Sequence, residues 1–263
     1  MLYILLLVFC FGLIWGSFLN AFLYRLKNKQ KICWDRSKCP NCSHLLSWID
    51  LFPIVGFVLL RGKCRYCQQK ISWQYPLVEF STGLLFIFAW LFRSGGFNPQ
   101  WQLNAHFILL ILRDWLAIWF WLGIFIYDLK WMIIPDSLSL VASALIVVLG
   151  IFLGIPAVEL LLAGFLGFIF FAVQYYFSNG TWVGGGDLRL GLLAGVLLSW
   201  PNILVALLLA YIFGSLISLL LLALKKANRK TALPFGVFLA PAVIITLFWG
   251  DLIVAWYSSL ILF

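Results

Sequence analysis

Residues 203–224 read ILVALLLAYIFGSLISLLLLAL, without a single charge, and KKANRK follows at 225–230. At a rise of about 1.5 Å per residue such a run, as a helix, crosses the roughly 30 Å of hydrocarbon in a bilayer. The run lacks the alternation of a barrel strand, and in lipid a helix satisfies its own backbone hydrogen bonds. The rest of the chain is similar. Of 263 residues, 64% are hydrophobic and 10% charged, with a mean hydropathy of +1.06, against about 25% charged in an ordinary soluble domain. Further apolar stretches run from Leu2 to Tyr24, Leu77 to Phe92, His106 to Tyr127, Ile133 to Gly154, Ala157 to Phe177, Leu188 to Trp200 and Phe235 to Phe263. The expected fold is all-α, a polytopic transmembrane bundle of about eight spans, with the Leu188 stretch short for a crossing.

Basic residues orient the bundle. Ten of the eighteen lie between Arg25 and Lys70 and four more between Lys225 and Lys230. Cytoplasmic loops collect Lys and Arg, so both stretches are expected in the cytoplasm. The first apolar stretch has no basic residues before it and no small-residue cleavage site, so it is expected to remain as a helix. The net charge of +9 follows from this topology and from anionic headgroups, and calls for no nucleic acid. The expected organisation is a first transmembrane helix at 1–24, a cytoplasmic insert at 25–75 and a transmembrane core at 76–263, without linkers or internal repeats.

The insert carries Cys39, Cys42, Cys64 and Cys67, two C-x-x-C pairs. That spacing suits two knuckles closing a tetrahedral zinc site, and a loop too small for a core of its own gains stability from a metal. Cys10 and Cys33 have no such partner and are read as incidental, and His44 as a solvated neighbour. Residues 49–60 are apolar but too short to span, broken by Pro53 and Gly56, and are expected to pack on the knuckle or lie at the interface.

A carboxylate in hydrocarbon costs at least about 2.5 kcal/mol, so the few acidic residues are where chemistry is sought. The inferred topology brings Asp128 and Asp187 to the cytoplasmic ends of their helices. Two such groups can share a proton, one activating a water while the other acts as acid. Gly184, Gly185 and Gly186 precede Asp187 and are expected to break the preceding helix and allow close backbone approach. The plainer alternatives are a helix N-cap for Asp187 and an interfacial anchor for Asp128. Asp136, after Pro135, is expected to cap a helix and is held as a reserve candidate. Glu79 begins a span, where it contacts a ligand or complements the helix N-terminus. Arg113 and Asp114 are adjacent, point apart on a helix and each need another partner.

These segments, with Gly16-Ser17-Phe18-Leu19-Asn20, Trp48-Ile49-Asp50-Leu51-Phe52-Pro53, Tyr75-Pro76-Leu77-Val78-Glu79, Ile134-Pro135-Asp136, Gly184-Gly185-Gly186-Asp187 and Pro234-Phe235-Gly236, resemble the bacterial type IV prepilin leader peptidase/N-methyltransferase family, intramembrane aspartyl peptidases with a G-x-G-D signature. The resemblance implies a bacterial inner-membrane enzyme that cuts the basic leader of prepilins or pseudopilins after a glycine on the cytoplasmic face. It implies Asp128 and Asp187 as the catalytic pair, zinc on the four cysteines, and methylation of the new N-terminus by S-adenosylmethionine. Type IV pili, type II secretion and competence are the settings implied. Arg189 stands where the family commonly has lysine, keeping a cation near the site with a different donor geometry. A transporter or channel with intramembrane carboxylates is the competing class, although it needs no cysteine knuckle. A serine protease built on Ser17 or Ser215 lacks a histidine placed to activate it.

Overall fold

The computed structural model describes residues 2–31, 36–96, 104–228 and 231–261. Cys33 lies outside them. Among the described residues the secondary structure is helical, with only two isolated bridges, Lys38 to Leu45 and Lys63 to Lys70. The chain forms two compact units, Met1–Trp101 and Gln102–Phe263.

In the first unit, α1 (Leu2–Lys27) packs along α3 (Gln74–Ser94), with the short α2 (Val55–Leu59) and the cysteine loops between them in sequence. Lipid offers no hydrophobic drive to helix pairing, so small residues decide where backbones meet. A Cβ on Gly12 would stand 2.7 Å from the Gly83 Cα, and one on Gly16 would stand 2.6 Å from the Glu79 Cα. The buried Asn20 then reaches α3, donating to the Tyr75 carbonyl at 3.2 Å and accepting from Gln74 Nε2 at 3.1 Å.

The second unit comprises α4 (Ala105–Trp131), α5 (Asp136–Phe152), α6 (Ala157–Phe177), α7 (Gly185–Leu198), α8 (Asn202–Ala223) and α9 (Gly236–Ile261). Each apolar stretch of the sequence is a helix. By length and composition α1, α3, α4, α6, α8 and α9 suffice to cross a membrane, while α5 and α7 fall short. α7 rises only about 21 Å, and its burial explains why that is enough. Leu190, Leu193, Ala194 and Val196 are enclosed by neighbouring helices, so α7 has almost no lipid to match.

The closest approach in this unit joins α6 to α7. A Cβ on Gly167 would land on the Gly191 carbonyl, one on Gly191 on the Gly167 carbonyl, and one on Gly195 on the Ala163 carbonyl. Gly164, Gly167, Gly191 and Gly195 thus form one glycine seam.

Two expectations change here. The glycine run at 184–186 does not break the preceding helix: α6 already ends at Phe177 with Ser178 as its C-cap, and the run opens α7 instead. Arg113 and Asp114, expected to point apart, pair with each other: the guanidinium donates to Asp114 Oδ1 from Nε at 3.1 Å and from a terminal nitrogen at 2.8 Å.

Candidate active site and cysteine centre

Asp128 lies in the last turn of α4 and is buried. Its Oδ2 accepts the amide of Gly236 at 2.7 Å, and the Val237 amide also reaches the carboxylate. The first amides of a helix have no partner within it, so Asp128 caps α9 from 108 residues away rather than merely anchoring α4 at the interface. Glycine at 236 is what admits the carboxylate, since a Cβ there would stand 2.8 Å from Oδ2. This gives the Pro234-Phe235-Gly236 motif its physical role.

Asp187 is the third residue of α7, not its N-cap. Gly184 holds the cap position: its amide donates to Asp187 Oδ2 at 2.9 Å, and its carbonyl accepts the Asp187 amide at 3.0 Å. The three glycines before it are not equivalent. A Cβ on Gly186 would press on Ile134 at 2.9 Å, whereas Gly185 faces open space and Gly184 meets nothing closer than 3.5 Å. The close approach is therefore to a side chain, and only Gly186 requires it.

The two carboxylates come from helices far apart in sequence and lie within electrostatic reach of each other. Tyr211 of α8 is within reach of Asp187 as well. Its hydroxyl donates to Gln174 Oε1 at 2.7 Å, and its ring lies 5.4 Å from Phe235, which packs at 5.4 Å on Phe171. A cleft of about 520 Å³, lined by Phe170, Val173, Gln174 and Tyr211, opens beside this aromatic group.

Asp136 opens α5 without a capping hydrogen bond, contrary to the expected role. Its carboxylate instead pairs with Arg189, tying the start of α5 to the first turns of α7. Both side chains are partly exposed, so the pair is worth about 1 kcal/mol or less.

Glu79 belongs to the first unit. It is buried in the second turn of α3, where Oε2 accepts the Ile54 amide at 2.7 Å and the carboxylate also meets the Ser17 side chain. Its work there is to hold the turn before α2, rather than to complement the start of α3.

Cys39, Cys42, Cys64 and Cys67 converge, with their sulfurs all within 4.8 Å of one another and Cys39 Sγ 3.9 Å from Cys67 Sγ. Four thiolates at about 2.3 Å from a zinc ion would stand about 3.8 Å apart, so the cluster fits that ion. The loops repeat one turn: the Cys39 amide donates to His44 O and the Ser43 amide to Cys39 O, as the Cys64 amide donates to Gln69 O and the Gln68 amide to Cys64 O. Ser43 and Gln68 both take positive φ, 57° and 58°. Burial alone would push the Cys39 thiol up, but the amides of Cys42 and Asn41 and the neighbouring sulfurs bring it down to about 7. Metal binding needs thiolates, and these amides favour that form. His44 stays outside the cluster and stacks on Tyr66 at 3.7 Å.

Asp50 fastens the apolar segment to the second knuckle. It accepts from the Ser47 amide and hydroxyl at 3.1 and 2.8 Å and pairs with Arg65 Nε at 3.0 Å. Burial works to raise its carboxyl, but Ser47, Arg65 and Tyr66 hold it below the usual carboxylate range. Purified protein is expected to carry about one zinc per chain, and the paired change Cys39→Ser with Cys64→Ser to abolish it. Unchanged zinc by elemental analysis would exclude these sulfurs as the ligands.

Comparison with known proteins agrees with the segment order. Residues 10–92 match the bacterial peptidase A24 N-terminal domain and residues 115–219 the type IV leader peptidase family. The chain is 31% identical over 281 residues to a prepilin leader peptidase/N-methyltransferase of Legionella pneumophila, covering 96% of this chain and 93% of that one. The protein of the same name from Aeromonas hydrophila is 31% identical over 284 residues, with the same coverage of each chain. That of Aeromonas salmonicida is 29% identical over 288 residues, covering 97% and 94%. No solved structure matches. With two relatives above 30% identity across nearly its whole length, the chain belongs to the type IV leader peptidase family.

Proposed function

We propose that this protein removes the leader peptide from prepilins or pseudopilins, cutting after a glycine, with Asp128 and Asp187 as the catalytic pair. The observation that carries the reading is that these two carboxylates, one from the end of α4 and one from the start of α7, are both buried and lie within electrostatic reach of each other in a chain of this family. One carboxylate takes a proton from water as the oxygen attacks the scissile carbonyl; the other, protonated, gives its proton to the leaving nitrogen. Water is consumed and both acids return to their starting sum of protons. The backbone amides of Gly236 and Gly184 orient the two carboxylates, each through its Oδ2.

The relatives' names support a second activity, methylation of the new N-terminus, with S-adenosylmethionine as donor. Zinc on the four cysteines would close the loops between α1 and α3. It supplies stability there rather than chemistry. The Lys and Arg distribution supports an inner-membrane protein whose site faces the cytoplasm. Thiol labelling of single cysteines placed near Lys29 and Lys226 is expected only from the cytoplasmic side.

The reading is tested by incubating purified protein with a prepilin in liposomes and following leader removal by mass spectrometry. A transporter would leave the prepilin intact. Asp136→Asn is expected to change cleavage only a few-fold and stability by about 1 kcal/mol or less, because both members of its ion pair are partly exposed. A loss comparable to that of an Asp187 variant would move Asp136 into the catalytic group.

A further inference from the structure

The first unit carries an apolar surface that the proposed chemistry does not use. Trp73 at the N-cap of α3 and Leu77, Phe80 and Leu84 on the helix are all exposed. They stand at helical spacing just before and along a membrane span, so they form its lipid-facing stripe. At the head of the stripe the Phe57 ring lies 4.9 Å from Trp73, which sets α2 against it. α2 then turns Val55, Val58 and Leu59 outward, the last two 64% and 67% exposed, and the segment before it exposes Trp48 and Phe52. Exposed apolar side chains thus lie on both sides of the Phe57–Trp73 contact, on the flank of α3 and on the segment at 48–59.

Cations border it. Arg61 and Lys63 follow α2 directly, Lys70 closes the second knuckle, and Lys29 and Lys31 follow α1, all exposed. Among the described residues none of these five pairs with a carboxylate, while Asp50 is taken by Arg65 and Glu79 by the Ile54 amide. An apolar shelf with aromatic ends and a basic rim matches an anionic bilayer surface, the apolar side chains entering the acyl boundary and the cations meeting headgroup phosphates.

We propose that residues 48–59 form an interfacial shelf seated in the headgroup layer of the membrane that α1 and α3 cross, with Arg61, Lys63 and Lys70 binding anionic phospholipid. Glu79 sets its depth. The carboxylate joins the Ile54 amide to α3 and to Ser17 of α1, so α2 is pinned to the two spans at the residue that precedes it. Ile54 takes φ 58° to reach it, a left-handed conformation that β-branched residues rarely adopt. The shelf would hold the cysteine centre at a constant height above the bilayer. This inference is independent of the proposed peptidase activity.

The test places a photoreactive phenylalanine analogue at Phe52, Val58 or Leu59 of the full chain, in nanodiscs of phosphatidylcholine with a minor share of phosphatidylglycerol. Leu84 serves as the lipid-facing control and Gln68 as the exposed knuckle control, and zinc content confirms folding of each variant. Lipid adducts are expected at 52, 58 and 59 as at 84, and not at 68. Phosphatidylglycerol should be enriched several-fold over its molar share at 58 and 59, and Arg61→Glu with Lys63→Glu should remove the enrichment. Adducts at 84 alone, or adducts of the shelf positions with protein in place of lipid, would overturn the shelf. Lipids captured in the ratio in which they were mixed would overturn the anionic assignment.

Discussion

Asp128→Asn and Asp187→Asn are each expected to lower leader cleavage by about a thousandfold or more, with the zinc content and thermal stability of the protein nearly unchanged. Asparagine keeps the size of the side chain and a carbonyl oxygen able to accept the Gly236 or Gly184 amide, so α9 and α7 stay capped. It removes the proton that the pair must pass between water and the leaving nitrogen. Alanine is expected to behave differently at position 128. Two amides of α9 would lose their acceptor in a buried place, at about 1–3 kcal/mol, so Asp128→Ala should lose stability as well as activity. Comparing the two variants at each position therefore separates chemistry from capping. Leader removal from a prepilin by each variant in liposomes measures the first, and a detergent melting curve the second. Near-normal cleavage by folded Asp187→Asn would end the two-aspartate mechanism.

Gly191→Leu is expected to abolish folded protein, and Gly191→Ala to lower both stability and cleavage sharply. The α6 and α7 backbones meet at this residue, so even one added carbon collides with the Gly167 carbonyl. A backbone carbonyl cannot rotate away as a flexible side chain can, and the helices must separate. Overpacking of an interior costs about 1–3 kcal/mol when side chains can adjust, and here they cannot. Separation also carries Asp187, one turn earlier on α7, away from Asp128. Gly185→Ala is the matched control: its Cβ would meet nothing within 4 Å, so it should fold normally despite lying closer to Asp187 in sequence. Yield of monodisperse protein and its melting temperature check both, and a Gly191→Leu variant as stable as the parent would refute the seam.

Most of the architecture was legible from local chemistry. Each long apolar run had to be a helix because lipid offers backbone groups no other partner, and eight apolar stretches became eight helices. The convergence of four cysteines also followed from spacing, since each C-x-x-C is a local turn whose sulfurs already point one way.

Pairings between distant segments were not legible, because they depend on which backbones approach. Asp128 and Gly236 were each visible as residues, yet nothing in either segment says that the α9 amides end on the α4 carboxylate. Asp136 looked like a cap because Pro-Asp commonly opens helices, and the nearby guanidinium of Arg189 claimed it instead. The Arg113–Asp114 pair escaped because helical spacing describes Cβ directions, not the reach of a long guanidinium. Gly191 and Gly195 did carry a signal, the G-x-x-x-G spacing of close membrane helices.

By itself, then, the sequence determined the solvent of this protein, its helical class, its cysteine centre and the scarce carboxylates among which a site had to be sought. Those are consequences of composition and short-range spacing, which each segment carries alone. Only the tertiary structure decided which carboxylate caps which helix, which glycine of the 184–186 run is sterically required and why α7 is allowed to be short. Each of these is set by the distance between segments far apart in the chain, and that distance is the outcome of packing small residues against backbone.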